Sequence, residues 1–272
     1  MFGRKENLVV GLVAFDCDTL RIAVGGLGRL RSKFTLIIYN GNPATQLRRP
    51  DVRRMGYCGH VHIINGTGGV DMFGGVSAIV TAARTVARNA RWMVCIRDSD
   101  ILLDVTVPHV SRDTFAVIQN MVVIRHRIAD VLRVIHCPTD YNIDDENTTL
   151  SRPHMGFFGS LIRIDTITGL CNVMGTISDK IRVLDEDLEY WPPYDAILWT
   201  MLNTYARTVN PDAVPIYMDR VGHVAIMVDS AINKYGRSAL PARATSEHYA
   251  RAVARFDAAL RAALAAPAGQ DI

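Results

Sequence analysis

Apolar residues recur along this chain in two rhythms. Leu8–Ala14, Phe34–Tyr39 and Val61–Ile64 are short runs with no helical period, each followed by polar or turn-forming residues, and Trp92–Ile96 is a fourth. Unbroken apolar runs of this length predict strands buried on both faces, since a half-exposed strand would alternate. Between them the spacing becomes helical. Leu20, Ile22, Ala23 and Leu27 recur over residues 19–30, and Val76, Ile79, Val80, Ala83 and Val86 over residues 75–89. The arginine-rich stretch 44–55 predicts a helix and a loop. Strands alternating with helices at short spacing predict a parallel α/β sheet, because parallel neighbours need a crossover connection.

The second half is less regular. Phe115–Ile118 and Met121–Ile124 are strand-like, and Val131–Cys137 is a further candidate. Residues 138–153 are polar and acidic, which predicts a long loop of the kind that serves as a lid or binding segment. Gly156–Ile164 resumes a strand. Residues 194–207 predict a helix with Ala196, Ile197, Trp199, Leu202 and Tyr205 inward, and Val214–Met218 a last strand, just after which comes His223. Alanine-rich residues 245–265 predict one helix, with Tyr249, Val253, Phe256, Leu260 and Leu264 in a single apolar stripe. That stripe is expected to pack on its own domain or on a second subunit, with a peripheral membrane contact as the lesser alternative.

Composition narrows the class. A chain of 272 residues, 49% hydrophobic and 21% charged, can bury a substantial core and reads as globular. A formal net charge of +3 gives no case for nucleic acid. Arg48, Arg49, Arg53 and Arg54 do cluster, as a solvated loop face or, alternatively, a patch for phosphate or acidic lipid. The five cysteines, Cys17, Cys58, Cys95, Cys137 and Cys171, are an odd number without a Cys-x-x-Cys pair. Reduced, mostly buried thiols in a cytoplasmic protein are the expectation, with no zinc motif. The start of the chain is polar and no apolar run is long enough to span a bilayer, so neither a signal peptide nor a transmembrane segment is expected. The Asn-x-Thr triplets at Asn65 and Asn147 carry no meaning in such a compartment.

Candidate chemistry concentrates where the fourth strand ends, at Asp98-Ser99-Asp100. On an extended chain residues i and i+2 face the same way, and open α/β sheets bind ligands at the carboxyl ends of their strands. Two carboxylates brought together repel unless a cation lies between them, and hard oxygen ligands suit Mg²⁺ or Mn²⁺. The bland alternative pairs Asp98 with Arg97 or another base and uses Asp100 as a helix cap. A second acidic group, Asp185-Glu186-Asp187-Leu188-Glu189, precedes the aromatic Tyr190-Trp191-Pro192-Pro193-Tyr194.

Together these features resemble a glycosyltransferase of the GT-A fold. The pattern is a first strand and helix, a second strand ending in Tyr39-Asn40-Gly41, a third ending in Asn65-Gly66, a glycine-led helix, and a strand closing on Asp98-Ser99-Asp100. It most resembles the large inverting family that includes cellulose and chitin synthases and many capsule and lipopolysaccharide transferases. Gly156–Ile164 resembles the acceptor-side strand of that family, and Asp185-Glu186-Asp187-Leu188 its Glu-Asp motif. The likeness spans residues 8–225.

The resemblance implies an α/β, Rossmann-like, mixed but mostly parallel sheet with flanking helices and a C-terminal helix. It implies a catalytic domain over 1–240, with a nucleotide-sugar half over 1–104 and an acceptor half over 105–240, then a helix and tail over 241–272. Ala14, Phe15, Asp16, Asn40, Asn65 and Asp98 would meet the nucleotide. Asp98, Asp100 and His223 would hold Mn²⁺ or Mg²⁺, which stabilises the leaving diphosphate. Asp187, beside Glu186, would be the general base for the acceptor hydroxyl. The partners implied are a UDP- or GDP-linked sugar and a hydroxyl acceptor such as a glycan, as in polysaccharide biosynthesis, without nucleic acid. Asn40 departs from the family, whose members often carry an acidic residue there. The absence of a Gln-x-x-Arg-Trp motif and of long apolar segments argues against a processive membrane synthase. A retaining GT-A enzyme stays open.

Other classes compete. Phe15-Asp16-Cys17-Asp18-Thr19-Leu20 resembles the nucleophile motif of haloacid-dehalogenase phosphatases, with Asp16 attacking phosphorus and Asp18 as acid/base. Leu20 stands where that motif wants Thr or Val, and no lysine falls in a matching place. A sugar-activating nucleotidyltransferase would want a glycine- and arginine-rich loop directly after the first strand. A catalytically silent GT-A-like binding module is the non-enzyme alternative.

Overall fold

The computed structural model describes residues 7–15, 17–30, 32–67, 72–125, 148–151, 156–186, 194–227 and 246–266. Asp16, Asp187, Trp191–Pro193, the candidate strand 131–137 and most of the loop expected over 138–153 lie outside them, as do the side chains of Asp18, Asp185, Glu186 and Tyr249. The first half follows the predicted alternation: β1 Asn7–Ala14, α1 Cys17–Leu27, β2 Phe34–Asn40, α2 Arg49–Arg54, β3 Val61–Asn65, α3 Met72–Val86 and β4 Ala90–Arg97. Then come β5 Asp100–Leu102, β6 Thr114–Arg125, β7 Thr148–Ser151 and β8 Leu161–Arg163. The described chain continues with α4 Ile164–Thr176, α5 Ser178–Glu186, α6 Tyr194–Val209, β9 Val214–Met227 and α7 Ser246–Ala265.

One mixed sheet runs through the fold in the order β3-β2-β1-β4-β8-β6-β9-β5, with β7 pairing β6 off this path. The long ladders, β1 with β2, β1 with β4, β2 with β3 and β6 with β9, are parallel. The antiparallel pairings are short. This is a Rossmann-like α/β architecture.

Burial explains the unbroken apolar runs. In β1, Val9 and Val13 face a core shared with α3, α4, α6 and α7, whereas Leu8, Val10 and Leu12 face a second core under α1 and α2. Both faces of the strand are covered, so no position is left to be polar. The α3 stripe is buried as predicted at Val76, Ile79, Val80 and Ala83, with Val86 packed at its margin. The stripe of α7 also turns inward: Ala252, Phe256, Ala259 and Leu260 are buried in the first core, where Phe256 packs against Phe73 at a centroid separation of 5.3 Å. Packing on the chain's own fold is therefore what this helix does. Among the described residues no helix is long and apolar enough to cross a membrane.

The second half departs from expectation in three places. The loop expected over 138–153 contains a strand, β7, paired with Met121–Ile124 of β6. The strand expected over Gly156–Ile164 is shortened to Leu161–Arg163, and its apolar end starts α4. The last strand does not stop at Met218. Asp219 and Arg220 bulge from it, and pairing with β6 resumes at Val221, so His223 lies inside β9 rather than after it. The bulge is held by Arg220, which pairs with Asp104 at 2.7 Å, and by Asp219, which accepts from Asn120 at 3.0 Å.

Candidate functional site

Strand register brings the candidate nucleotide residues to one edge. Ala14 lies beside Asn40 and Asn40 beside Asn65, with Arg97 beside Val13 one step back. The ladder runs on past the strand ends: the Gly41 amide donates to the Ala14 carbonyl at 2.7 Å, Gly66 to Asn40 at 2.8 Å, and Asp98 to Val13 at 3.0 Å. From β1 the chain crosses to β2 and β3 on one side, and α3 then returns it to β4 on the other. The carboxyl end between β1 and β4 is thus a topological switch point, where the connections diverge and leave a crevice.

Asp98 sits in that crevice, 7% exposed, and its Oδ2 accepts the Phe15 amide at 2.8 Å. The Phe15 ring lies against Gly41 so closely that a β-carbon there would overlap it. Asn40 and Asn65 face inward along the same edge. The Asn40 amide donates to Thr45 O at 2.6 Å and to Asn65 Oδ1 at 3.0 Å, and its Oδ1 accepts from the Asn42 amide at 3.2 Å. Asn65 exchanges two bonds with the Leu47 backbone, at 2.9 and 3.0 Å. These two side chains fasten the loop after β2 to the end of β3.

Asp98 and Asp100 do not project together from one extended strand. β4 ends at Arg97, Asp98 and Ser99 form a turn, and Asp100 opens β5, which pairs with β9 instead of continuing β4. Asp100 is fully buried. Its Oδ2 accepts from the Arg97 amide at 3.0 Å and Arg97 Nε at 3.1 Å, and its Oδ1 from Arg97 Nη2 at 3.1 Å. The bland alternative pairs Arg97 with Asp98; the geometry pairs it with Asp100. Arg97 lies over the Phe158 ring, 5.4 Å from its centroid. Burial alone would favour loss of its proton. The carboxylates of Asp100, Asp195 and Asp98 outweigh burial and raise its pKa, so it is charged at every accessible pH.

Asp195, in the first turn of α6, accepts the Phe158 amide at 2.8 Å. Phe158 belongs to a buried turn over 156–160, fastened by the Gly159 amide on Cys95 O at 2.8 Å and the Ser160 hydroxyl on Gly156 O at 2.6 Å. Gly159, at φ +80°, rests on the imidazole of His223, which is 1% exposed. His223 stands opposite Leu102 of β5 and Met121 of β6. Asp195 is the residue that sequence reasoning passes over, and Arg97 enters it only as a partner for Asp98. Arg97 is adjacent to Asp98 and could have been weighed as a partner for both carboxylates; Asp195 follows Pro-Pro-Tyr at a helix start, the ordinary place for an acidic residue.

As arranged, Asp98, Asp100 and His223 do not offer a divalent ion an uncommitted set of ligands, because Asp100 is clasped by a guanidinium. Among the described residues no group of three or more His, Cys, Asp or Glu side chains is gathered closely enough to hold a metal. Glu186 ends α5, and the base candidate Asp187 follows just beyond the described residues. A groove of about 390 Å³ lined by Arg84, Arg88, Ala90 and Thr168 lies at the opposite, amino end of β4 and belongs to a different region.

No family model matches this sequence, and no curated protein matches it. Among solved structures the chain is similar to 4-diphosphocytidyl-2C-methyl-D-erythritol synthase from Anaerococcus prevotii, at 10% identity and a TM-score of 0.36, over 92% of this chain and 96% of that one. A likeness that distant does not bear on what this chain does.

Proposed function

We propose that this chain transfers a sugar from a nucleoside-diphosphate donor to a hydroxyl acceptor. The observation that carries the reading is Asp98: a buried carboxylate at the β1–β4 switch point, tied to the Phe15 amide where the first strand ends. In this reading Ala14 and Phe15 border the base and ribose, and Asp98 meets the ribose or the diphosphate beside it. Asn40 and Asn65 shape the neighbouring loop. The aromatic segment Trp191-Pro192-Pro193-Tyr194 is proposed for the acceptor, while the buried 156–160 turn backs the site from within.

Inverting transfer needs a base that removes the acceptor's proton as the sugar–phosphate bond breaks. Asp187, next to Glu186, is proposed for it. The leaving diphosphate gains negative charge and needs a cation in place. Mn²⁺ or Mg²⁺ at Asp98, Asp100 and His223 is one source, which would require Asp100 to leave Arg97; a protein cation is the other. The nucleotidyltransferase alternative is disfavoured because β1 ends at Ala14 and α1 begins at Cys17, which leaves no room for a glycine- and arginine-rich loop.

Calorimetric titration with UDP and GDP tests the reading. One nucleotide is expected to bind wild-type protein and to lose affinity in Asp98→Ala, while Asp187→Asn keeps binding and loses transfer. Hydrolysis of a generic phosphate ester without nucleotide binding would replace this reading with the Asp16/Asp18 phosphatase.

A further inference from the structure

The salt bridge at the end of β4 has a direction. Its carboxylate, Asp100, has no accessible surface, whereas the Arg97 side chain is 33% exposed. The anion is wholly enclosed, whereas the cation's side chain keeps part of its surface, its guanidinium being itself largely enclosed. A guanidinium carries five N–H donors in a fixed plane. Nε and one N–H of Nη2 are committed to Asp100, and among the described residues the two of Nη1 and the second of Nη2 make no further hydrogen bond. The plane is held from one side by the Phe158 ring, and Phe158 is itself anchored through its amide to Asp195. Such a preset fork matches the oxygens of a phosphate.

The neighbouring carboxylates are each fastened by a backbone amide. Asp98 accepts the Phe15 amide, and Asp195 accepts the Phe158 amide from the first turn of α6, where the helix end favours negative charge. A divalent ion that used Asp100 would first have to break a pair whose carboxylate is wholly buried, and would then lie beside the displaced guanidinium. Breaking a buried pair is strongly unfavourable, and like charges at that separation repel.

We propose that Arg97, oriented by Asp100, is the cationic contact for the donor's diphosphate, and that Asp100 is its anchor rather than a metal ligand. The inference rests on the nucleotide-donor reading above and deepens it: binding of the nucleoside diphosphate does not require a divalent ion.

The test is calorimetric titration of UDP and GDP into the purified chain, in EDTA and separately in excess Mn²⁺. Three proteins are compared: wild type, Arg97→Lys, and the double variant Arg97→Gln/Asp100→Asn. The double variant replaces both charges with a neutral hydrogen-bonding pair, so the buried site stays satisfied, and a cooperative thermal melt checks that it is folded. The expected result is binding in EDTA, weakened roughly tenfold or more in Arg97→Lys, which keeps the charge and loses the fork, and abolished in the folded double variant. Binding that appears only with Mn²⁺, or binding in EDTA that Arg97→Lys leaves unchanged, overturns the inference while the donor reading stands. Absence of binding for both nucleotides under both conditions overturns the donor reading, and the inference falls with it.

Discussion

Gly159 lies against the imidazole of His223 at φ +80°, a contact too close for any β-carbon and a backbone conformation that L side chains rarely adopt. Gly159→Ala therefore incurs two penalties, the left-handed backbone, at about 1–2 kcal/mol, and overpacking against the ring, at about 1–3 kcal/mol. Chemical denaturation is expected to show the sum. Adding His223→Ala in the same chain should recover the packing part and leave the backbone part. If Gly159→Ala alone were neutral, the turn would not be seated on His223.

Asp98 joins the ends of β1 and β4 through one side-chain bond. Asp98→Ala leaves the Phe15 amide without this acceptor and is expected to cost about 1–3 kcal/mol. Asp98→Asn retains an acceptor oxygen and should cost less. Urea denaturation of the two variants separates a structural tie from a merely neighbouring carboxylate, since equal losses would exclude the tie.

Cys95 and Cys171 are buried in the same core, and burial raises both thiols, that of Cys171 to about 12. Cys58 is exposed. A thiol reacts through its thiolate, so a thiol-specific reagent at neutral pH should label Cys58 rapidly and leave Cys95 and Cys171 untouched until denaturant is added. Peptide mapping after a timed pulse reads this directly. Fast labelling of Cys95 in native protein would contradict its place in β4.

Tyr57 stacks on Phe34 with ring centroids 5.6 Å apart, and burial pushes its hydroxyl from 10.0 to about 12. The folded chain holds this proton more tightly than the unfolded chain. Its contribution to stability is thus full below pH 10 and is lost as pH rises toward 12. Wild-type protein should lose stability across that alkaline window more steeply than Tyr57→Phe, which keeps the ring and removes the proton. Parallel slopes would show that Tyr57 titrates normally.

The first hundred or so residues were legible because each strand is covered on both faces and each helix packs one stripe, so periodicity alone separates them. The later half hides its structure for local reasons. Asp219 and Arg220 look like the end of a strand, yet they bulge out between paired Met218 and Val221. The run through Ile164 looks like one strand, but its last residue begins a helix whose Ile164, Ile167, Leu170, Cys171 and Met174 are buried at helical spacing. Glycine and threonine interrupt that helix in the sequence and mask the pattern. At the site, the position of Asp98 could be inferred from its place after a buried strand. The partner of Asp100 could not, because spacing along an extended chain says nothing once Asp98 and Ser99 turn.

The contact of Phe73 with both Phe256 and Tyr194 sets an order of events during synthesis. Tyr194 begins the helix that carries Asp195, and Phe256 belongs to α7. The ribosome delivers α7 about forty residues after α6 is complete, a delay of seconds at ordinary elongation rates. Through that interval Phe73 and Tyr194 lack their third aromatic neighbour, and the part of the core that α7 fills is left uncovered. A nascent chain stalled before α7 emerges should therefore expose an apolar face beside an otherwise formed sheet, which makes this interval the one in which a chaperone has most to hold.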